Sequence, residues 1–197
     1  MEKTNVQKLA KILKILVTIT FICNLLILPL VPGIVGIGFE AEGWTAVERL
    51  TPYEGSPWQL PLRVGIAFLL ACWQYLFRVW RSEYTAVLTL FLLACGVCTA
   101  LILRQAQRVL DTILEGNPFQ KKNGTSMKRA AGCCFVISAA ALLRTFWRFW
   151  HYGSIAPLFT YNALFIPLFA MGGLLCMVMS ALFRQAAELK EENDLTI

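Results

Sequence analysis

Long apolar blocks constrain this chain more than any motif does. Four of them, at about 12–37, 84–103, 130–150 and 161–183, approach the length of a membrane-crossing helix. A hydrocarbon layer of ~30 Å needs about 20 helical residues. The 197 residues are 57% hydrophobic and 15% charged, against roughly 45–50% and roughly 25% in soluble domains. We predict an all-α integral membrane protein, a single membrane domain with four transmembrane helices.

The positions of Lys and Arg predict the orientation. Segments 1–14, 104–129 and 184–197 hold four, six and two of the 18 basic residues. Because such residues are in excess on the cytoplasmic side, we place both termini there (N-in, C-in), with a cytoplasmic turn at 104–129 and a cytoplasmic tail at 184–197. The net charge of +6 is then explained by basic residues at the ends of the apolar blocks. No direct binding of nucleic acid is predicted.

The first block is predicted to be a retained span rather than a cleaved signal. It is too long for a signal peptide, and no small-x-small cleavage site follows it. Pro29 and Pro32 lie near its outer end. Since proline removes a backbone donor, we expect the helix to be kinked or unwound there.

Residues 39–83 are predicted to lie outside the cell membrane or on its outer surface. Residues 39–59 contain four glutamates together with Gly and Pro, which is typical of a loop. Residues 60–80 are apolar enough to span, but a span there would move the basic segment 104–129 outside. We therefore predict an amphipathic or re-entrant helix at 60–80, with a true span as the alternative.

The stretch after residue 114 predicts a sharp turn between two helices. Gly116 is suited to the position just past a helix end, and Pro118 prevents the helix from continuing. The polar residues that follow are candidate N-caps for the third span; they are Asn123, Thr125 and Ser126.

The cysteine motifs do not predict a redox or metal site. Cys95 and Cys98 have the C-x-x-C spacing of thiol oxidoreductases. They fall near the middle of a span, however, where an apolar setting blunts thiol reactivity. Cys133 and Cys134 have no histidine nearby, because the only one, His151, is predicted at the opposite face. We therefore expect no catalytic, cofactor or metal site.

One helix face within the predicted spans carries three ionisable residues. Arg144, Arg148 and His151 follow at i, i+4 and i+7 on one helix. Ionisable residues inside a span are candidates for function, so these three predict contact with a ligand or a lipid phosphate. The alternative is that Arg148 and His151 lie in the interface and Arg144 extends toward it.

Two short strings resemble a known family. Gly116-Asn117-Pro118-Phe119 is followed by Asn123, and the chain closes with Ala187 to Ile197, which includes E-N-D-L-T-I. Both resemble domain-of-unknown-function family 2975, small four-span proteins of the bacterial cytoplasmic membrane. The resemblance covers about 84–197 and, loosely, the first span, whereas 39–83 looks like an elaboration. Members are often encoded beside a very small helix-turn-helix regulator, which implies a cytoplasmic DNA-binding partner.

The resulting hypothesis is a non-enzymatic binding or signalling protein whose cytoplasmic face docks such a regulator. One alternative is a transporter or immunity-type protein that handles an amphipathic or anionic ligand at Arg144, Arg148 and His151. Another is a membrane thiol oxidoreductase that uses Cys95 and Cys98. The candidate docking residues are Asn117, Pro118, Phe119, Asn123, Asn193, Asp194, Leu195, Thr196 and Ile197.

Overall fold

The computed structural model describes residues 5–39, 45, 48, 60–153 and 159–195. Over these residues the chain is helical and contains no strand. The helices are α1 (Asn5–Ile27), α2 (Val31–Phe39), α3 (Leu60–Tyr75), α4 (Glu83–Leu114), α5 (Lys121–Tyr152) and α6 (Tyr161–Leu195), with short 3₁₀ turns at Leu28–Leu30 and Arg78–Arg81. Most of the predicted loop at 39–59 lies outside the described residues, as do Thr196 and Ile197.

Five segments of the described chain are long and apolar enough to cross a membrane. This confirms the prediction of an all-α membrane protein. Four of the segments overlap the predicted spans, and the fifth overlaps the predicted surface helix. By residue range they are Gln7–Gly38, Pro61–Arg81, Glu83–Leu114, Lys121–Tyr152 and Ala163–Asn193.

The first block is interrupted near the first of its two prolines, close to where a kinked or unwound helix was predicted. Helix α1 ends at Ile27, and a 3₁₀ turn with Pro29 near its start separates it from α2. Proline has no N–H to donate, so the regular hydrogen-bond ladder stops there. The chain divides near this point into two compact units, residues 26–93 and residues 1–25 with 94–197.

In the unit formed by residues 26–93, α2 packs closely on α3. A Cβ added at Gly33 would lie 2.5 Å from the Cys72 carbonyl oxygen, and one at Gly36 would lie 2.8 Å from the Tyr75 Cβ. Cys72 and Tyr75 are buried together with Ile37. Small residues bring the two backbones together here, as they do between helices in membranes.

In the other unit, α5 and α6 form an antiparallel pair. The Ser180 hydroxyl donates to the Gly124 carbonyl at 2.7 Å, and the Ser138 hydroxyl donates to the Ile166 carbonyl at 2.8 Å. A Cβ at Gly124 would lie 2.7 Å from the Arg184 Cγ and 3.0 Å from the Ser180 carbonyl oxygen. Gly124 therefore sets how closely these helices approach.

Helices α1 and α4 are also antiparallel. The Lys14 Nζ lies 2.6 Å from the Asp111 Oδ1, and the Gln107 Nε2 donates to the Thr18 hydroxyl at 3.2 Å. The start of α1 thus lies beside the end of α4.

The topology is tested with accessibility probes at three positions. We expect labels at Ser82 to react from outside, and labels at Thr125 and the C-terminus to react only from the cytoplasm. Single-cysteine variants in a cysteine-free background, or reporter fusions at the same positions, measure this. If Ser82 is cytoplasmic and Thr125 is outside, then residues 60–80 cross the membrane and the four-span prediction is wrong.

The tight α5–α6 contact is tested with two matched substitutions. Gly124→Leu should lower the melting temperature in detergent, because overpacking a well-packed contact costs about 1–3 kcal/mol. Gly132→Leu on the same helix should not, since nothing lies within 4 Å of a Cβ at Gly132. Equal melting temperatures for the two variants would contradict the proposed role of Gly124.

Candidate docking site at the helical turn

The break after α4 is a turn that satisfies the last carbonyls of the helix. The Gly116 amide donates to the Ile113 carbonyl at 3.1 Å, and the Asn117 amide donates to the Thr112 carbonyl at 3.0 Å. This pair of bonds defines a Schellman motif. Gly116 has a φ of +79°, which glycine adopts without the cost of a Cβ clash. The predicted role of Gly116 is confirmed.

Asn123 closes the turn from the other side. Its Nδ2 donates to the Pro118 carbonyl at 2.7 Å and to the Thr112 hydroxyl at 2.6 Å. That hydroxyl in turn donates to the Val109 carbonyl at 2.8 Å. The Asn123 side chain is 1% exposed, so these bonds replace contacts with water. One side chain thus joins the end of α4, the turn and the start of α5.

The predicted N-caps of the third span are wrong. Helix α5 begins at Lys121, and Gln120 before it makes no side-chain cap. Asn123 lies inside the helix and uses its amide as a donor to the turn, rather than its oxygen as an acceptor for helix N–H groups. An Asn side chain offers both groups, so the sequence pattern does not distinguish the two uses. Thr125 bonds back to the Lys121 carbonyl within the helix, at 3.3 Å.

Helix α6 contacts the turn through two polar pairs. The Lys190 Nζ donates to the Asn117 Oδ1 at 2.8 Å, and the Lys121 Nζ lies 2.7 Å from the Glu191 Oε2. Exposed pairs of this kind contribute little to stability, but they show which surfaces meet. The structure brings the turn and the helical part of the tail together.

A groove of about 330 Å³ lies where the turn meets α6. We call this region the turn site. Phe119 is 51% exposed at the groove, and basic side chains surround it. The lining residues are Asn117, Phe119, Gln120, Lys121, Lys122, Ala187, Lys190 and Glu191.

The candidate docking residues differ in what they offer to a partner. Phe119 and Asn193 are exposed, and Asn117 and Pro118 are half-buried. Asn123 is buried, so in this conformation it positions the turn and does not reach a partner. Asp194 and Leu195 belong to α6, but their side chains lie outside the described residues, together with Thr196 and Ile197. A docking role for the tail therefore stays a prediction.

The charged face of α5 is partly an aromatic stack. The His151 ring lies over the Trp147 ring, with centroids 5.2 Å apart and planes 9° apart. Arg144 and Arg148 are half-buried, and neither is without an interaction partner. Binding of a ligand or lipid at Arg144, Arg148 and His151 stays a prediction.

The seven thiols are all free. Cys98 is buried, and its thiol lies next to that of Cys133 on α5. Cys134 has the same relation to Cys176 on α6. The two cysteine pairs join different helices, so their spacing in the sequence did not indicate them. Within the described ranges, no group of three or more His, Cys, Asp and Glu side chains is arranged to hold a metal ion.

Fold and site together define a small helical membrane protein in which a hydrogen-bonded turn joins α4 to α5. A family model described as "Protein of unknown function (DUF2975)" matches residues 44–197. The chain belongs to this family, which confirms the resemblance drawn from the turn and the closing string. No curated protein and no solved structure matches the chain.

One part of that resemblance needs correction. Residues 39–83 were expected to be an elaboration outside the family, but the match begins at residue 44 and includes α3. The expectation rested on two short strings, whereas a family model weighs every position. The matched range therefore includes the helix at 60–75, and it does not include the first predicted span.

The turn is tested by removing the amide of Asn123. Asn123→Asp keeps the shape but cannot donate to the Pro118 carbonyl, and Asn123→Ala removes both bonds. Leaving buried polar groups unpaired costs about 1–3 kcal/mol, so both variants should melt several degrees lower in detergent. Asn117→Ala, which loses only an exposed contact with Lys190, is the control. Equal melting of all three variants would contradict this role.

Proposed function

We propose that this protein is a non-enzymatic binding or signalling protein of the bacterial cytoplasmic membrane, and that its turn site docks a small soluble helix-turn-helix regulator. The proposal rests on the groove in which the turn meets α6. Two of the predicted docking residues, Asn117 and Phe119, line this groove, and the charge pattern predicts that it faces the cytoplasm. Membership of the family adds the expectation of such a regulator.

Phe119 is the expected centre of the contact. The Schellman motif and Asn123 hold the backbone on both sides of it, so little freedom is lost when a partner binds. Aromatic anchors often dominate the binding energy of interfaces. An apolar side chain of the regulator is expected to cover the exposed half of the Phe119 ring.

Charged side chains surround Phe119. Lys121 is paired with Glu191, and Lys190 is bonded to Asn117. In the described part of the chain Lys122 has no such partner, so it can face a carboxylate of the regulator. The end of α6 is acidic, with Glu188, Glu191 and Glu192. It complements the basic surface that helix-turn-helix proteins turn toward DNA.

Docking of that kind gives a simple mechanism. A regulator whose basic surface rests on the acidic end of α6 is held at the membrane and kept from DNA. A change that opens the turn site releases it. No bond is made or broken, which is consistent with a non-enzymatic role.

The proposal is tested by co-expressing the protein with a small helix-turn-helix regulator from the same genome and measuring co-purification. Deletion of residues 193–197 should abolish co-purification from detergent, and Phe119→Ala should weaken binding about tenfold or more, as for an interface hot spot. Trp150→Ala is the matched control, since Trp150 is also exposed but lies at the other end of α5.

Size-exclusion profiles and melting temperatures establish that each variant is folded before binding is compared. Full binding by the deletion and by Phe119→Ala would overturn the docking role of the turn site. An equal loss in Trp150→Ala would do the same, because it would show that binding does not depend on this end of the bundle.

A further inference from the structure

A second groove, of about 460 Å³, lies along α1 where α4 ends. We call it the α1 groove. It belongs to the unit that contains residues 1–25 and 94–197, and it is separate from the turn site. Its lining residues are Gln7, Lys11, Lys14, Ile15, Thr18, Ile19 and Leu114.

The α1 groove changes from polar to apolar along the helix. Gln7 and Lys11 lie at its first end, and Ile15 and Ile19 follow at intervals of four residues, on one helix face. At 1.5 Å per residue, Lys11 and Ile19 are about 12 Å apart along the axis. A phospholipid has the same order, with a charged head at the interface and an apolar chain that runs inward.

The charge of the α1 groove is positive. Its lining contains two lysines and no carboxylate. The Lys14 amine is engaged by Asp111 at 2.6 Å. Lys11 is exposed and has no ion-pair partner among the described residues. Lys11 is therefore the cation that an incoming anion meets.

In the part of the chain that the structure describes, the apolar side of the α1 groove is largely uncovered, since Ile15 is 53% and Ile19 is 57% exposed. Leu114 from α4 lines the groove near its polar end, because α4 runs antiparallel to α1 with Asp111 beside Lys14. A free phosphate ion would use the lysine and leave the isoleucines uncovered. A lipid uses both, because its chain lies along the isoleucines while its phosphate faces Lys11.

We propose that the α1 groove binds an anionic phospholipid. The phosphate pairs with Lys11, and one acyl chain follows Ile15 and Ile19 along α1. The predicted position of residues 1–14 on the cytoplasmic side places this lipid in the inner leaflet. The inference does not depend on the docking of a regulator.

The test measures lipid retained by the purified full-length protein. The protein in detergent is mixed with phosphatidylglycerol or with phosphatidylcholine of the same chains, and bound lipid is counted by native mass spectrometry. Phosphatidylglycerol should be retained in preference. Lys11→Gln should weaken its retention about fivefold, the effect of one Lys near an anionic surface. Lys128→Gln, at an exposed lysine of α5, should leave it unchanged.

A second variant separates a lipid from a free anion. Ile19→Ser should also weaken retention of phosphatidylglycerol, and inorganic phosphate should compete poorly. Unchanged retention in both Lys11→Gln and Ile19→Ser overturns the proposal. So does an equal loss in Lys128→Gln, which would indicate attraction by overall charge, or full displacement by inorganic phosphate, which would indicate a simple anion site. Melting temperatures confirm that the variants are folded.

Discussion

The hydrogen bonds of one buried side-chain amide hold together the turn that carries the string G-N-P-F. Asn123 donates to the turn and to the last turn of α4 from a position inside α5. Helix ends leave backbone groups without partners, and a buried turn must satisfy them within the protein. The amides of Gly116 and Asn117 satisfy the carbonyls of Ile113 and Thr112, and the Asn123 amide satisfies the carbonyl of Pro118. The spacing between the string G-N-P-F and Asn123 places the Asn123 amide where it can bond the turn.

Close packing of the helices depends on small residues rather than on hydrophobicity. Lipid tails are as apolar as leucine side chains, so burial of apolar surface does not hold membrane helices together. Gly124 and Ser180 bring α5 and α6 into contact, and Gly33 does the same for α2 against α3. Because Gly124 directly follows Asn123, one short stretch fixes both the turn and the α5–α6 contact. The position of the turn site is a consequence of both.

Local features of the fold could be read from the sequence, and contacts between helices could not. Hydropathy predicted the helices, and Gly116 predicted the turn, because both effects act over a few neighbouring residues. The pairing of Lys190 with Asn117 and the neighbouring thiols of Cys98 and Cys133 depend on how helices are rotated. Hydropathy does not set that rotation. Asn123 was recognised as important but given the wrong role, since its amide can either donate or accept.

The last turn of α4 takes part in both proposed sites. Leu114 lines the α1 groove, while the carbonyl and hydroxyl of Thr112 are bonded to the turn that presents Phe119. A ligand shifts a structure only by as much as it favours one arrangement over another. A lipid in the α1 groove therefore affects docking only if it binds differently to two arrangements of this helix end. The bonds of Thr112 to Asn117 and Asn123 oppose such a change, so coupling between the sites requires that they open.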